Sequence, residues 1–257
     1  MNWWGTLLGG TLGFMLGGPL GALLGAILGR NFDRGLASAD RSSVFGPGRQ
    51  ERVQAAFFTA TFSVMGHIAK ADGRVTSAEI SAAENIMSRM QLDPAQRKAA
   101  IQLFNEGKQE TFPLQEVLAQ FRHECHGRRN LLQMFLEIQI ATAMADGQIH
   151  GGEKRILFII GESLGFDRGT IEHLFGFVGA SQAPAREKHS LANAYRILGV
   201  GRDADDAEVK KAYRRLMNQH HPDKLIARGL PEEMIKLATE KTREIKDAYE
   251  LIKASRS

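Results

Sequence analysis

The chain has 257 residues, which allows one large domain or two small ones, and 43% of them are apolar, enough to build cores. Aromatic residues make up 7% and the formal net charge is +4, which disfavours an aromatic stacking surface for nucleic acid and fits attraction to acidic lipid or an acidic protein face. The single cysteine, Cys125, excludes an intrachain disulfide and fits a reducing compartment.

Residues 3–29, WWGTLLGGTLGFMLGGPLGALLGAILG, carry no charge. A helix of that length spans roughly 40 Å against a hydrocarbon core of about 30 Å, so the stretch predicts a single transmembrane helix within residues 1–30. Trp3 and Trp4 are placed as an interfacial anchor. A secretory signal peptide wants a basic start, and Met1-Asn2 supplies none. Arg30, Arg34, Arg41 and Arg49 all follow the apolar run, which predicts a short N-terminus outside and a C-terminal body in the cytoplasm. Gly5, Gly9, Gly13, Gly17, Gly21, Gly25 and Gly29 recur every four residues. On a helix they share a face with no side chains, so a second helix can approach closely. A homodimer through this face is the simplest expectation; another membrane protein is the alternative, and the general abundance of glycine in membrane helices is the plainer account. Pro19 predicts a kink.

Residues 31–50 read as a linker ending in RSSVFGPGRQ, and residues 51–178 show helical apolar periodicity. Within them KADGRVTSAE (70–79) and MADGQIHGGE (144–153) are echoes of each other. Each reads as a helix end, a tight turn whose glycine supplies positive φ, and a new helix. Thr76 and Glu79 fit a capping box, a pattern that His150 breaks in the second copy although Glu153 remains. The spacing also matches the second half of a calcium-binding loop, but the first two ligand positions would fall on Ile68 and Lys70, or on Thr142 and Met144. Those residues cannot form an oxygen cage, so a conventional EF-hand is rejected. The repeated helix-turn-helix with paired acids resembles the TerB-like tellurite-resistance domain. That resemblance makes Asp72, Glu79, Asp146 and Glu153 candidate metal ligands, beside the plainer reading of caps and turn residues. In RHECHG (122–127), His123, Cys125 and His126 lie close together without the paired spacing that zinc wants, so a polar helix end is expected.

Residues 179–190, GASQAPAREKHS, read as a second linker, and residues 191–257 as three helical patterns. Leu191, Ala194, Tyr195 and Leu198 make one apolar stripe, stopped by Gly199. Val209, Ala212, Tyr213, Leu216 and Met217 make a second, with Lys210, Lys211, Arg214 and Arg215 on the opposite face. Ala238, Ile245, Ala248, Tyr249 and Ile252 line the third, expected over about 231–253. Between the long helices lies HHPDK (220–224). Pro222 disfavours helix at His221, so the basic helix should end there and His221 and Asp223 should project from a hairpin tip. An exposed tip without a nearby serine or cysteine is poor ground for catalysis. Metal binding by His220 and His221 lacks partner ligands.

AYRILGV, the basic KKAYRRL helix, HHPDK and EIKDAYELI in this order resemble a J-domain, the module named for DnaJ. The resemblance implies that His221, Pro222 and Asp223 engage a DnaK-type chaperone and stimulate its ATPase. It also implies that Lys210, Lys211, Arg214 and Arg215 dock on an acidic surface of that partner. The J-domain performs no chemistry itself, so the chain is expected to be no enzyme and to carry no cofactor. The whole order resembles the membrane-anchored DnaJ-like co-chaperones: an all-α chain with a transmembrane helix, a helical TerB-like domain and a C-terminal J-domain hairpin. It implies a single-pass protein of the bacterial inner membrane with its N-terminus in the periplasm, acting in envelope or capsule signalling through a phosphorelay. A reading of another class is a metal-responsive membrane sensor that uses the four acids of the middle domain.

Overall fold

The computed structural model describes residues 18–26, 49–71, 73, 75–145, 149–183, 187 and 190–256. Every regular element among them is helical. In chain order after residue 48 these are α1 (Arg49–Ala69), α2 (Ser77–Arg89), α3 (Pro94–Gly107), α4 (Leu114–Glu124), α5 (Arg129–Ala143), α6 (Gly151–Ser163) and α7 (Arg168–Ser181). Then come α8 (Leu191–Leu198), α9 (Asp206–His220), α10 (Pro222–Ile226), a 3-10 turn (Glu232–Met234) and α11 (Ile235–Arg256). Helix α1 starts at Arg49 and α7 ends at Ser181, so both reach into stretches expected to be linkers.

Local chemistry sets most of the helix ends. Thr76 and Asp93 close reciprocal capping boxes with Glu79 and Gln96, which satisfy amide groups that a helix start leaves without partners. Pro94 stands in the first turn of α3, where its missing N–H costs nothing. At the second copy of the echo, the His150 amide still donates to Glu153 Oε2 at 2.9 Å, so this half of the box survives the loss of a Thr. Gly73 has a φ of +84°, the left-handed conformation expected of the turn glycine.

Helices α1 and α5 form the centre of the first body. Phe57 of α1 meets Phe121 of α4 and Phe135 of α5 edge-on, with ring centroids 5.7 and 6.2 Å apart, and all three rings are fully buried. Helix α3 crosses α1 at two glycines. A Cβ built on Gly66 would lie 2.0 Å from Phe104 O, and one on Gly107 would lie 1.8 Å from Ser63 O. The two backbones therefore touch directly.

In the second body, α9 and α11 form the expected hairpin, with Tyr213 and Tyr249 stacked at 4.2 Å. Helix α8 lies between α11 and α7. Leu191 departs from the expected stripe: it is exposed at 39%, while Ile197 is buried beside Ala194, Tyr195 and Leu198. The third pattern begins as the 3-10 turn after Pro231, and α11 proper starts at Ile235. Arg256 ties the end of α11 back to the Tyr195 hydroxyl at 2.9 Å and to Asp206 at 2.5 Å.

Of the apolar N-terminal stretch, residues 18–26 are described and are helical. Gly18, within the described helical stretch, has a φ of +58° and is followed by Pro19; the kink expected there turns on residues 1–17, which lie outside the described residues. Leu20 and Leu24 are buried, and the Leu20 amide donates to Gln120 Oε1 of α4 at 2.8 Å. No helix among the described residues is long and apolar enough to cross a membrane, and most of the expected span lies outside them. So do Gly5, Gly9, Gly13, Gly17 and Gly29 of the glycine period. Gly21 and Gly25 fall inside the described helical stretch and are buried.

Candidate functional site

The His221-Pro222-Asp223 tip is built by two helices that meet at one residue. His221, with φ −59° and ψ 122°, ends α9 and caps α10. Its Nδ1 accepts the Asp223 amide at 3.3 Å, and its carbonyl accepts the Leu225 amide at 3.1 Å. Pro222 fills the first position of α10, where a residue without an N–H is tolerated. The His221 side chain is 44% exposed and that of Asp223 87%. Their polar atoms stand 3.9 Å apart. The stretch after the proline is thus a short helix, and the tip is a compact helical corner.

Lys210, Lys211, Arg214 and Arg215 are all exposed on α9, while Val209, Ala212 and Leu216 on its other side are buried. The capping box of Asp205 and Glu208 fixes where this helix starts, and so where the basic residues point. Lys224, one residue past the tip, reaches back to the Asn218 side chain. The result is an exposed, positively charged helix face ending in an exposed His–Pro–Asp corner.

His220, considered from the sequence only as a metal ligand that would lack partner ligands, is buried at 2%. Its ring stacks on Phe177 of α7 at 5.5 Å, and its Nε2 lies 3.4 Å from Glu137 Oε1 of α5. Burial pushes its pKa below the usual 6.5, opposed by Glu137 and aided by Lys241. Lys241 covers the same Phe177 ring at 4.4 Å and reaches Ser181 Oγ at 3.3 Å. Arg89 of α2 pairs with Glu240 of α11. Asn130, at the start of α5, donates to Gln219 O at 3.0 Å and to Asn218 O at 3.4 Å, and Arg128 donates to Arg228 O. The sequence did carry a signal for the burial of His220: it stands four residues after Leu216, on the apolar stripe of α9. Asn130 and Glu137 carried none, because their partners lie more than eighty residues away in the chain.

The acids of the internal echo are only partly described, since Asp72 and Asp146 lie outside the described residues. Glu79 and Glu153 line one small pocket with Met65, Ile68, Gln139 and Thr142. Both are occupied as caps: Glu79 Oε2 accepts the Thr76 amide at 2.6 Å, and Glu153 Oε2 accepts that of His150. Burial, then the proximity of Glu79, raises the Glu153 pKa. Among the described residues no group of three or more His, Cys, Asp or Glu is placed to hold a metal ion. Cys125 is fully buried and its thiol is pushed up to about 12, so it belongs to the core rather than to a site with His123 and His126.

Three family models match the chain in succession: co-chaperone DjlA transmembrane domain over residues 1–39, tellurite resistance protein TerB over 58–174, and DnaJ domain over 193–257. The co-chaperone protein DjlA of Photobacterium profundum is 45% identical over 97% of this chain and 98% of its own. Those of Yersinia pestis and Vibrio cholerae are 43% and 45% identical, each over 98% of both chains. No solved structure matches. A DnaJ domain has a DnaK-type chaperone as its partner, the first match associates the chain with a membrane, and none of the three models is that of an enzyme. The exposed His–Pro–Asp corner thus sits in a DnaJ domain carried on a TerB domain behind a membrane-associated segment, in the order of relatives aligned from end to end, and the chain belongs to the DjlA family of co-chaperones.

Proposed function

We propose that this chain is anchored in the bacterial inner membrane by one N-terminal helix, with its body in the cytoplasm, and that it stimulates ATP hydrolysis by a DnaK-type chaperone. The exposed His221-Pro222-Asp223 corner beside an exposed basic helix face carries this reading. Lys210, Lys211, Arg214 and Arg215 steer the encounter with an acidic surface, and the rigid corner biases a two-state partner toward its hydrolysing form. Glycines at four-residue spacing pair two anchors into a homodimer. The output is envelope or capsule control through a phosphorelay.

The test is single-turnover ATP hydrolysis by a purified DnaK-type chaperone with the full chain in bilayer discs, beside its His221→Gln form. Stimulation that disappears with the substitution is expected. Equal rates with and without the wild-type chain would refute the reading. Leucine at alternate glycines of the period should weaken self-association in a membrane, and unchanged association would remove the dimer.

A second reading, a metal-responsive sensor, draws on the convergence of Glu79 and Glu153 from the two echoed turns. Calorimetric titration of the full chain with calcium, magnesium, zinc and manganese decides it. Absence of both binding heat and a melting shift would reject it.

A further inference from the structure

The His–Pro–Asp corner leaves a bonding problem that its own domain does not solve. A helix end leaves carbonyls without partners, and they need donors from elsewhere. In α9 the carbonyl of Asn218 would ordinarily receive the N–H of residue 222, but that residue is proline and has none. The carbonyl of Gln219 would receive the N–H of residue 223, but Asp223 donates to His221 Nδ1 instead. Both orphaned oxygens point to the other body of the molecule. There Asn130 Nδ2 meets them, at 3.0 Å for Gln219 O and 3.4 Å for Asn218 O. Both partners are carbonyl oxygens, so the amide nitrogen of Asn130, not its oxygen, must face them.

Two residues earlier in the same turn, Arg128 donates to Arg228 O, just beyond α10. Next to that contact Gly229 has a φ of +92°, and a Cβ there would lie 2.9 Å from Val53 Cγ1 of α1. The donors are aimed by an unusual turn: His126 and Gly127 both have positive φ, at 48° and 64°. The TerB-like body therefore holds the main chain on both sides of the corner and leaves the His221 and Asp223 side chains outward.

We infer that Asn130, supported by Arg128, is a positioning residue for the His221-Pro222-Asp223 corner: the middle domain completes the J-domain's docking element by supplying the donors that Pro222 and the His221 cap take away. This rests on the proposed stimulation of a DnaK-type chaperone and adds that the middle domain sets its strength. Asn130→Asp keeps size and shape but removes the donor and places a carboxylate against two carbonyls. Asn130→Ala removes the donor alone.

The experiment measures stimulation against concentration for the full chain in bilayer discs, as wild type, Asn130→Asp and Asn130→Ala. Both variants should lower the maximal stimulation by about fivefold while the half-saturating concentration moves by less than about twofold, because the corner is displaced and the basic face is not. An unchanged maximum in both variants would overturn the inference, as would a loss no larger than the unfolded fraction at the assay temperature. Hydrogen exchange supplies an arm independent of the chaperone. In Asn130→Asp, the amides of Asp223 and Leu225 should exchange at least about tenfold faster while Ile245 to Ile252 in α11 stay as in wild type. Uniformly faster exchange would mark a general loss of stability and overturn it. No stimulation by the wild type would refute the proposed function itself, and the exchange arm alone would then decide whether Asn130 holds the corner.

Discussion

Protonation of single side chains sets how this molecule answers to acid. Burial lowers the pKa of His67, His173 and His220 below 6.5, so each is neutral in the fold at a pH where the unfolded chain would bind a proton. The unfolded state then holds more protons, and stability falls as pH drops below about 6.5 toward the lowered folded values. Glu153 has the opposite sign: its raised pKa keeps a proton on the folded chain above 4.5, which favours the fold as pH falls through that window. Three histidines against one carboxyl give a net loss on acidification. Calorimetry from pH 7 to pH 5 should show the melting temperature fall, and His220→Gln should fall less over the same range. Equal slopes would mean that His220 is not among the groups that matter.

At the scale of whole helices, the decisive features are the close crossing of α1 and α3 and the charged face of α9. Gly107→Ala forces a Cβ to within 1.8 Å of a backbone oxygen, so the helices must move apart, at a cost of about 3 kcal/mol. Gly176 is the contrast: it lies exposed within α7 with no atom within 4 Å of an added Cβ. Gly176→Ala should stabilise by about 0.5–1 kcal/mol through helix propensity. Denaturant unfolding of the two variants checks both signs. On α9, Lys210→Ala with Arg214→Ala should raise the half-saturating concentration for chaperone stimulation about tenfold at low salt, and high salt should shrink the gap. A lower maximum without that shift would take the basic face out of the encounter. The sequence showed these helices well. The apolar stripes of α9 and α11, the box at Thr76–Glu79, the break at Pro222 and the positive φ of Gly73 all follow local rules. Ile197 replacing Leu191 in the core did not, because which flank of so short a helix is covered depends on α7 and α11. The glycine crossing was equally hidden: Gly66 and Gly107 gain their meaning only from each other's helix.

Over the molecule as a whole, the two bodies are joined by the buried His220 ring and its Glu137 neighbour and by a partly exposed ion pair, in addition to their connecting chain. Phe177 of the TerB-like part is roofed by His220 and Lys241 of the J-domain part, and Glu240 crosses to Arg89. Such a joint makes unfolding of one body expose apolar surface of the other, so calorimetry of the wild-type full chain should show one coupled transition for the described body. Phe177→Ala, a loss of about 3–5 kcal/mol, should lower it and split it in two. One unsplit transition in the variant would mean that the bodies are coupled through other contacts. The sequence revealed both bodies through their motifs and concealed the joint: Arg89, Asn130 and Glu137 belong to no pattern that names their partners, and Phe177 reads only as one more residue of the apolar stripe of α7 with Ile171 and Leu174.

The grip on the corner is made to main-chain oxygens at Asn218, Gln219 and Arg228. Carbonyls are the same in every residue. The hold is therefore indifferent to which side chains stand at 219 and 228, and those positions are free to drift while the register of the backbone is kept. A chimera that carries a foreign J-domain on this TerB-like body will keep the hold if its loop has the same length and the same proline. A single inserted residue there will release it, however well the substituted side chains match.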